Sequence, residues 1–552
     1  MGLLYLQRGD YQRSLDYCKK ALQLDTYNGE SNYLYAMNQL KLGHLLDAKE
    51  GFSLACYSTA KKGAALIGLG QCFFLEGNMK KAEECWHESL CYNSKRVFPK
   101  EWLVTLYRVT GQTGKAATLV EELLQEYPLN RAAAFERYLL TGKETDASAF
   151  RGTVTNELPF ETYLELSDRY AELQLLREAA QVLLLAPEHP LVDYHLAYLY
   201  HELGDEQKSQ LHLNRAVSSS PFLVFPHRLT TLTCLEWANG EMRSWKNDYY
   251  RALLYTHFGD KEKALELLNG CDEADFAPLF VVRARMKSGE EKLQDLLTAE
   301  RLAANDWRIG MELLSFYQNA NKPEVALKYA EKHFNRDKSN YRIGLRYAKL
   351  LSTCGEYDKS LSLLSKLIVL PSEGASEGRV VYRQAHLMKS IDCLKRGRHK
   401  TALNHLQLSL LWPENLGVGK PYEELIDQHL EEYLQGVILL KMNKKEQAAT
   451  CFKEVATRTA FARNSNLLLK ALALKKTGKV AEADEVISTW EENGEKDYVK
   501  EWCVGFYKNG SEWAKNQTST HVASSNEEAK PWEVAAQHDG NFAFILALLD
   551  FL

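Results

Sequence analysis

The chain has 552 residues, 45% of them apolar and 26% charged, with 68 basic against 73 acidic side chains and a net charge of −5. That mixture excludes collagen-like and disordered compositions and suits a folded protein in water. It also argues against a nucleic-acid partner, since phosphate neutralisation needs a basic stripe. The best candidate, residues 379–400 with Arg383, Lys389, Lys395, Arg396, Arg398 and Lys400, reads as one solvated helix face and its turn.

In chain order, the first feature is a ruler. Gly9, Gly43, Gly77 and Gly111 stand 34 residues apart, each between two segments of helical apolar periodicity. Glycine suits such a turn because a helix often ends in a left-handed residue. Five residues later comes a small side chain, Ser14, Ala48, Ala82 or Ala116, where two helices must approach closely. Phe52 and Trp86 follow as the large partners, and Pro128 closes the fourth unit. The third unit adds Leu69, Gly70 and Phe73.

These residues resemble the tetratricopeptide repeat family. The resemblance implies an all-α, right-handed α-solenoid of helix pairs whose first helices line a concave face. Residues 1–139 are expected to form regular units. Phase weakens over residues 140–190, around Gly142, Gly152, Pro159, Pro187 and Pro190, which predicts an irregular helical junction. It returns over residues 191–300, with turns at Gly204 and Gly259. Residues 301–514 hold less regular pairs turning near Asn321, Gly355, Gly397, Asn443 and Gly478. Breaks are expected at 371–379 and 412–422, and residues 515–552 read as a polar linker and a last helix near 541–552.

Three phrases, at residues 225–238, 245–255 and 412–422, carry a wider resemblance covering about 191–460. They are similar to a family of large bacterial proteins with a domain of unknown function. That family carries an N-terminal β-sandwich, suspected to be carbohydrate-related, ahead of a helical repeat region. With no alternating-strand pattern here, and half a helix before Gly9, the chain reads as a piece of something larger.

No chemistry-bearing motif stands out. The run Leu416–Pro421 mimics a phosphate loop but lacks the Ser or Thr after Lys420 and a preceding strand. His195 and His201 are six apart and do not make the H-E-x-x-H pair. Neither a catalytic residue, a metal nor a cofactor is expected. The eleven cysteines contain no C-x-x-C, and positions such as Cys72 and Cys451 suit small buried side chains in a reducing, cytoplasmic setting. No apolar run approaches the ~20 residues that cross a bilayer, so no membrane partner is expected either.

The resemblance places groove residues 10, 6, 3 and 2 positions before each turn glycine. It therefore implies a binding patch of Tyr194, Tyr198, His201, Tyr249 and His257, with Tyr33 and Phe74 on a more apolar stretch of the first units. Aromatic rings with polar tips are enriched at binding hot spots. The carboxylate-gripping variety of repeat is disfavoured, because its Lys and Asn positions hold Tyr33, Met37, Ile67, Gln71, Glu101 and Thr105. The expected function is a non-catalytic scaffold holding a peptide segment or partner domain in a concave groove. The alternative is an accessory region of a carbohydrate-active enzyme, packed on a β-sandwich of the same protein.

Overall fold

The computed structural model describes residues 1–92, 97–459, 464–492, 497–520 and 539–552. Among them there are helices and turns and no strand, and they form two compact units, Met1–Leu279 and Phe280–Leu552. Each unit stacks helix pairs, so the protein is an all-α solenoid.

Unit 1 begins with the pairs α1 (Gly2–Gln7) and α2 (Tyr11–Leu24), α3 (Gly29–Lys41) and α4 (Leu45–Ala55), and α5 (Lys62–Leu75) and α6 (Met79–Tyr92). It continues with α7 (Val97–Val109) and α8 (Thr113–Glu126), α9 (Arg131–Thr141) and α10 (Glu144–Gly152), and α11 (Pro159–Ala171) and α12 (Leu176–Leu184). Then follow α13 (Pro190–Glu202) and α14 (Glu206–Ser218), the unpaired α15 (Leu229–Glu241), and α16 (Trp245–Phe258) with α17 (Lys261–Asn269). Helix α18 (Ala277–Met286) contains the division between the units.

Unit 2 continues with α19 (Gly289–Leu302), α20 (Trp307–Asn319) and α21 (Pro323–Arg336), α22 (Tyr341–Thr353) and α23 (Tyr357–Leu364), and α24 (Glu377–Lys395) and α25 (His399–Ser409). After them come α26 (His429–Lys441) and α27 (Lys445–Thr457), α28 (Asn466–Lys476) and α29 (Val480–Glu492), α30 (Tyr498–Thr520), and a short α31 (Phe542–Ala547).

The turns follow from their residues. Gly9, Gly43, Gly77 and Gly111 have φ of 76°, 79°, 78° and 73°. The residue after each donates its N–H back to the first helix, as Asp10 does to the Tyr5 carbonyl at 2.9 Å and Gln112 to that of Tyr107 at 2.8 Å. Where Asp or Asn follows the glycine, it also caps the second helix: Asp10, Asn78, Asp205 and Asp260 accept from the backbone N–H three residues on. Asn321 and Asn443 adopt the same left-handed geometry, with φ of 53° and 60°.

Ala48, Ala82, Ala116, Ala264, Ala326, Ala402, Ala448 and Ala483 are fully buried at the crossing of each pair. Where serine replaces alanine, its hydroxyl donates to a carbonyl of the facing helix, Ser14 to Gly2, Ser209 to Ala197 and Ser360 to Ala348, so the polar atom is buried satisfied. Gly70 is fixed by packing of another kind: a Cβ there would overlap the buried Trp86 indole, whose Nε1 donates to the Ile67 carbonyl at 3.2 Å.

The expected irregular junction falls on residues 140–190. They hold α10, α11 and α12 in continued pairing, with left-handed turns at Gly142 (φ 64°) and at the exposed Gln174 (φ 59°). Glutamine is no signature of such a turn, which is why the repeat looked interrupted. Of the expected linker, residues 515–520 are helical, in the second part of α30 beyond a non-helical break at Gly510 (φ 80°), while residues 521–538 lie outside the described residues. Of the basic run, Arg379 and Arg383 are not solvated; the first is buried and donates to the Ser409 carbonyl at 2.7 Å, and the second pairs with Glu431 at 2.6 Å.

Candidate functional site

The inner face of unit 1 is largely occupied by its own side chains. Glu136, 1% exposed, accepts from Thr105 at 2.7 Å, Arg108 at 2.6 Å and Tyr170 at 3.0 Å, and Arg108 reaches on to Glu178. Arg169 pairs with Glu101, Lys41 with Glu172 at 2.8 Å, and Gln71 donates to the Glu172 carbonyl. Residues from α3, α5 and α7 are thus bound to α11 and the turn after it. What remains beside Glu101, Thr105, Arg169 and Tyr170 is a void of about 10 Å³, the size of one water.

Helix α15 covers the next stretch. It buries Thr231, Cys234, Leu235 and Ala238, a stripe at helical spacing. Thr231 Oγ1 lies 2.9 Å from His195 Nε2, and the Trp237 ring lies 5.7 Å from that of Tyr198 and 5.0 Å from that of His201. Thr230 donates to Asp168 at 2.9 Å, and Arg228, just before the helix, pairs with Glu161 at 3.0 Å. Burial raises the Asp168 carboxyl to about 6, against the lowering effects of Thr230 and Arg228. It also holds the His195 imidazole down at about 3, helped by the charge of Arg228.

Of the expected patch, Tyr194 and Tyr249 are buried, 0% and 4% exposed, and meet through Tyr250 at ring distances of 6.2 and 5.9 Å. Phe74 is likewise buried, 5.9 Å from the Trp86 ring. Tyr198 and His201 are half-buried under Trp237, and His201 Nδ1 also lies 2.9 Å from Glu206. His257 is exposed, and its ring contact is with Phe258 rather than with the other four residues. Tyr33, half-buried, lies edge-on to Phe52 with Lys61 over its ring. Trp237 was missed because its helix breaks the two-helix period.

Unit 2 also holds an unpaired helix, the chain's last. Residues 539–552 lie against α24, α26, α28 and α30. Phe542 and Ile545 are fully buried and Phe544 nearly so; the Phe542 ring is 5.3 Å from that of Trp502, and Arg383 lies over that of Phe544. A polar lock fixes the entry. Asp539 accepts from the Ser465 N–H and hydroxyl, both at 2.7 Å. Asn541 accepts from Arg383 at 2.9 Å and donates to Asn466 at 2.8 Å and Asp427 at 3.2 Å. Burial opposes ionisation of Asp427, but hydrogen bonds from His429 and Asn466 outweigh it and hold the carboxyl well below the usual range. At the other end Lys515 pairs with Asp550 at 2.6 Å and Lys441 lies over the Phe551 ring. The only hint in the sequence was the polar Asp539-Gly540-Asn541 step ahead of an apolar run.

No group of three metal-ligating side chains occurs among the described residues, and none of their helices is long and apolar enough to cross a membrane. Residues 1–28 and 194–222 match the tetratricopeptide repeat family. No curated protein matches the chain. Similar solved structures include Naa15/Naa10 bound to HypK-THB, at 12% identity over 97% of this chain and 98% of that one, with a TM-score of 0.31. Yeast Tom70 is similar at 13% identity over 89% and 95%, with a TM-score of 0.26. A tetratricopeptide repeat protein from Parabacteroides merdae shares 20% identity over 52% of this chain and 98% of its own, with a TM-score of 0.21. By its helix pairs and their left-handed turns this chain is an all-α solenoid, and two of its segments, residues 1–28 and 194–222, match the tetratricopeptide repeat.

Proposed function

We propose that the protein is a non-catalytic interaction scaffold, and that the inner face of unit 2 is its peptide-holding groove. In cis the groove takes residues 539–552; in trans it takes an apolar helical segment of a partner protein that opens on a similar Asp/Asn step. The observation that carries this reading is the seated segment itself, with three buried apolar anchors and a polar lock at its start. Amphipathic helices laid in apolar grooves are a recurring mode of recognition. Asp168, His195 and Asp427, displaced from their ordinary titration, are engaged by Thr230, by Thr231, and by His429 and Asn466. The alternative of a sugar site next to a β-sandwich draws on Tyr194, Tyr198, His201, Tyr249 and His257, of which Tyr194 and Tyr249 are buried.

The test is a chain ending at His538, to which a labelled peptide of residues 539–552 is added. Saturable binding to the truncated chain, much weaker binding to the intact one, and loss with a Phe542→Ala peptide are expected. A truncated chain that keeps its helical circular dichroism but ignores the peptide would overturn the proposal.

A further inference from the structure

A second groove lies in unit 2, away from the seated segment, between α21 and α23 and floored by α22. Helix α23 has 8 residues against 14 in α21, so about 9 Å of helix is missing where the two would otherwise run side by side. The space left is a groove of about 650 Å³, within the range of ligand-holding pockets, about 300–1,000 Å³. Its floor is apolar: Phe334, Tyr347, Leu351, Leu363 and Leu367. Its rim is basic, with Lys338, Lys359 and Lys366 all exposed.

The charge on that rim is largely uncompensated. The one acid lining the groove, Asp358, is taken by Lys389 at 2.7 Å. Lys359 has only Glu356 on its own helix turn, at 3.2 Å. Among the described residues no carboxylate lies within ion-pairing distance of Lys338 or Lys366. Beyond Leu367 the chain runs extended, with Val369 turned in and Ile368 and Leu370 exposed at 74% and 65%. The Val369 N–H donates to the Asn415 carbonyl at 2.8 Å, which holds this apolar edge in place.

We infer that the α21–α23 groove is a docking site for an acidic amphipathic segment of a partner protein, its apolar side chains on the Phe334–Leu367 floor and its carboxylates on Lys338 and Lys366. Charge complementarity selects this occupant: a basic segment would meet three ammonium groups, and a purely apolar one would leave them unused.

The experiment uses the full chain and a short labelled peptide in which glutamates flank one phenylalanine and two leucines, beside a counterpart with lysine for every glutamate. The acidic peptide is expected to bind saturably and at least about tenfold more tightly than the basic one, with affinity falling as salt rises from about 0.05 to 0.5 M. Lys338→Glu combined with Lys366→Glu should weaken it at least about tenfold. Ser362→Trp, an exposed position on α23 that lines the groove, should block it with helicity unchanged. Equal binding of both peptides, or acidic-peptide binding untouched by both variants, would overturn the inference. So would self-association of the chain that the lysine reversal abolishes, which would make the occupant a second copy.

Discussion

Both units lay an unpaired helix on an inner face, but they tether it differently. In unit 1, α15 is held at both ends, by residues 219–228 and by the short connection 242–244. In unit 2, α31 follows α30 in the chain after residues 521–541 and is fixed by the Asp539 and Asn541 contacts at its start. The first arrangement makes the occupant part of the architecture, because α15 cannot leave without pulling on α14 and α16. Under the proposed function, the second occupant is the one that a partner can displace. The family resemblance placed the binding patch on unit 1, on the face that the chain has sealed.

The largest expected effect contrasts the two occupants directly. Leu235→Ala in α15 removes a fully buried side chain and should cost unit 1 about 2–5 kcal/mol, read by denaturant unfolding. Removing residues 539–552 should lower the melting temperature yet leave the remaining helices folding cooperatively. Loss of cooperative unfolding on truncation would make α31 as architectural as α15, and the contrast would fail.

Next in size is the polar lock. Asn541→Ala takes a partner from Arg383, Asn466 and Asp427, so it should weaken the added 539–552 peptide by about 1–3 kcal/mol, or roughly 5- to 150-fold. A smaller change would assign the recognition to the phenylalanines alone.

Acidity should separate the faces. His195 is held neutral, its titration depressed from 6.5 to about 3 by burial, facing Asp168 at 4.0 Å with Arg228 nearby. Below pH 6.5 the unfolded chain takes up a proton that the folded one refuses, so this residue's contribution is lost as pH falls. His195→Gln should gain on the parent by about 1.4 kcal/mol per pH unit through that range. Asp168, raised to about 6, takes up its proton in the folded state and partly offsets the loss in the parent. Asp427 has the same sense as His195 but acts lower on the pH scale: its carboxyl is depressed, so its stabilisation is present above the ordinary carboxylate range and is lost only in stronger acid. The 539–552 segment should therefore stay docked at pH values where unit 1 already loosens, as proteolysis with an acid-active protease would show.

The smallest effect tests the hidden turn. Gln174→Gly relieves a left-handed conformation on an exposed residue and should stabilise unit 1 by up to about 1 kcal/mol.

What could be read from the residues themselves was local. Gly9, Gly43, Gly77 and Gly111, the small residues five positions on, and Asn321 and Asn443 each carry their reason within a few neighbours, because a left-handed turn or a close crossing restricts residue type on the spot. Gln174 escaped because a polar residue can adopt the turn at modest cost without advertising it. The last apolar helix was visible as a helix, though not as an occupant.

The sequence alone thus determined that helices would pair, where they would turn and which positions would be small. Only the tertiary structure decided that α15 covers the inner face of unit 1 and that residues 539–552 lie on that of unit 2. Those outcomes rest on contacts such as His195 with Thr231, 36 residues apart, and Arg383 with Asn541, 158 apart. Periodicity records how a residue faces its own helix. It does not record which distant helix arrives to cover that face, so the tyrosines at 194 and 249 looked the same on paper whether open to a ligand or closed beneath the chain.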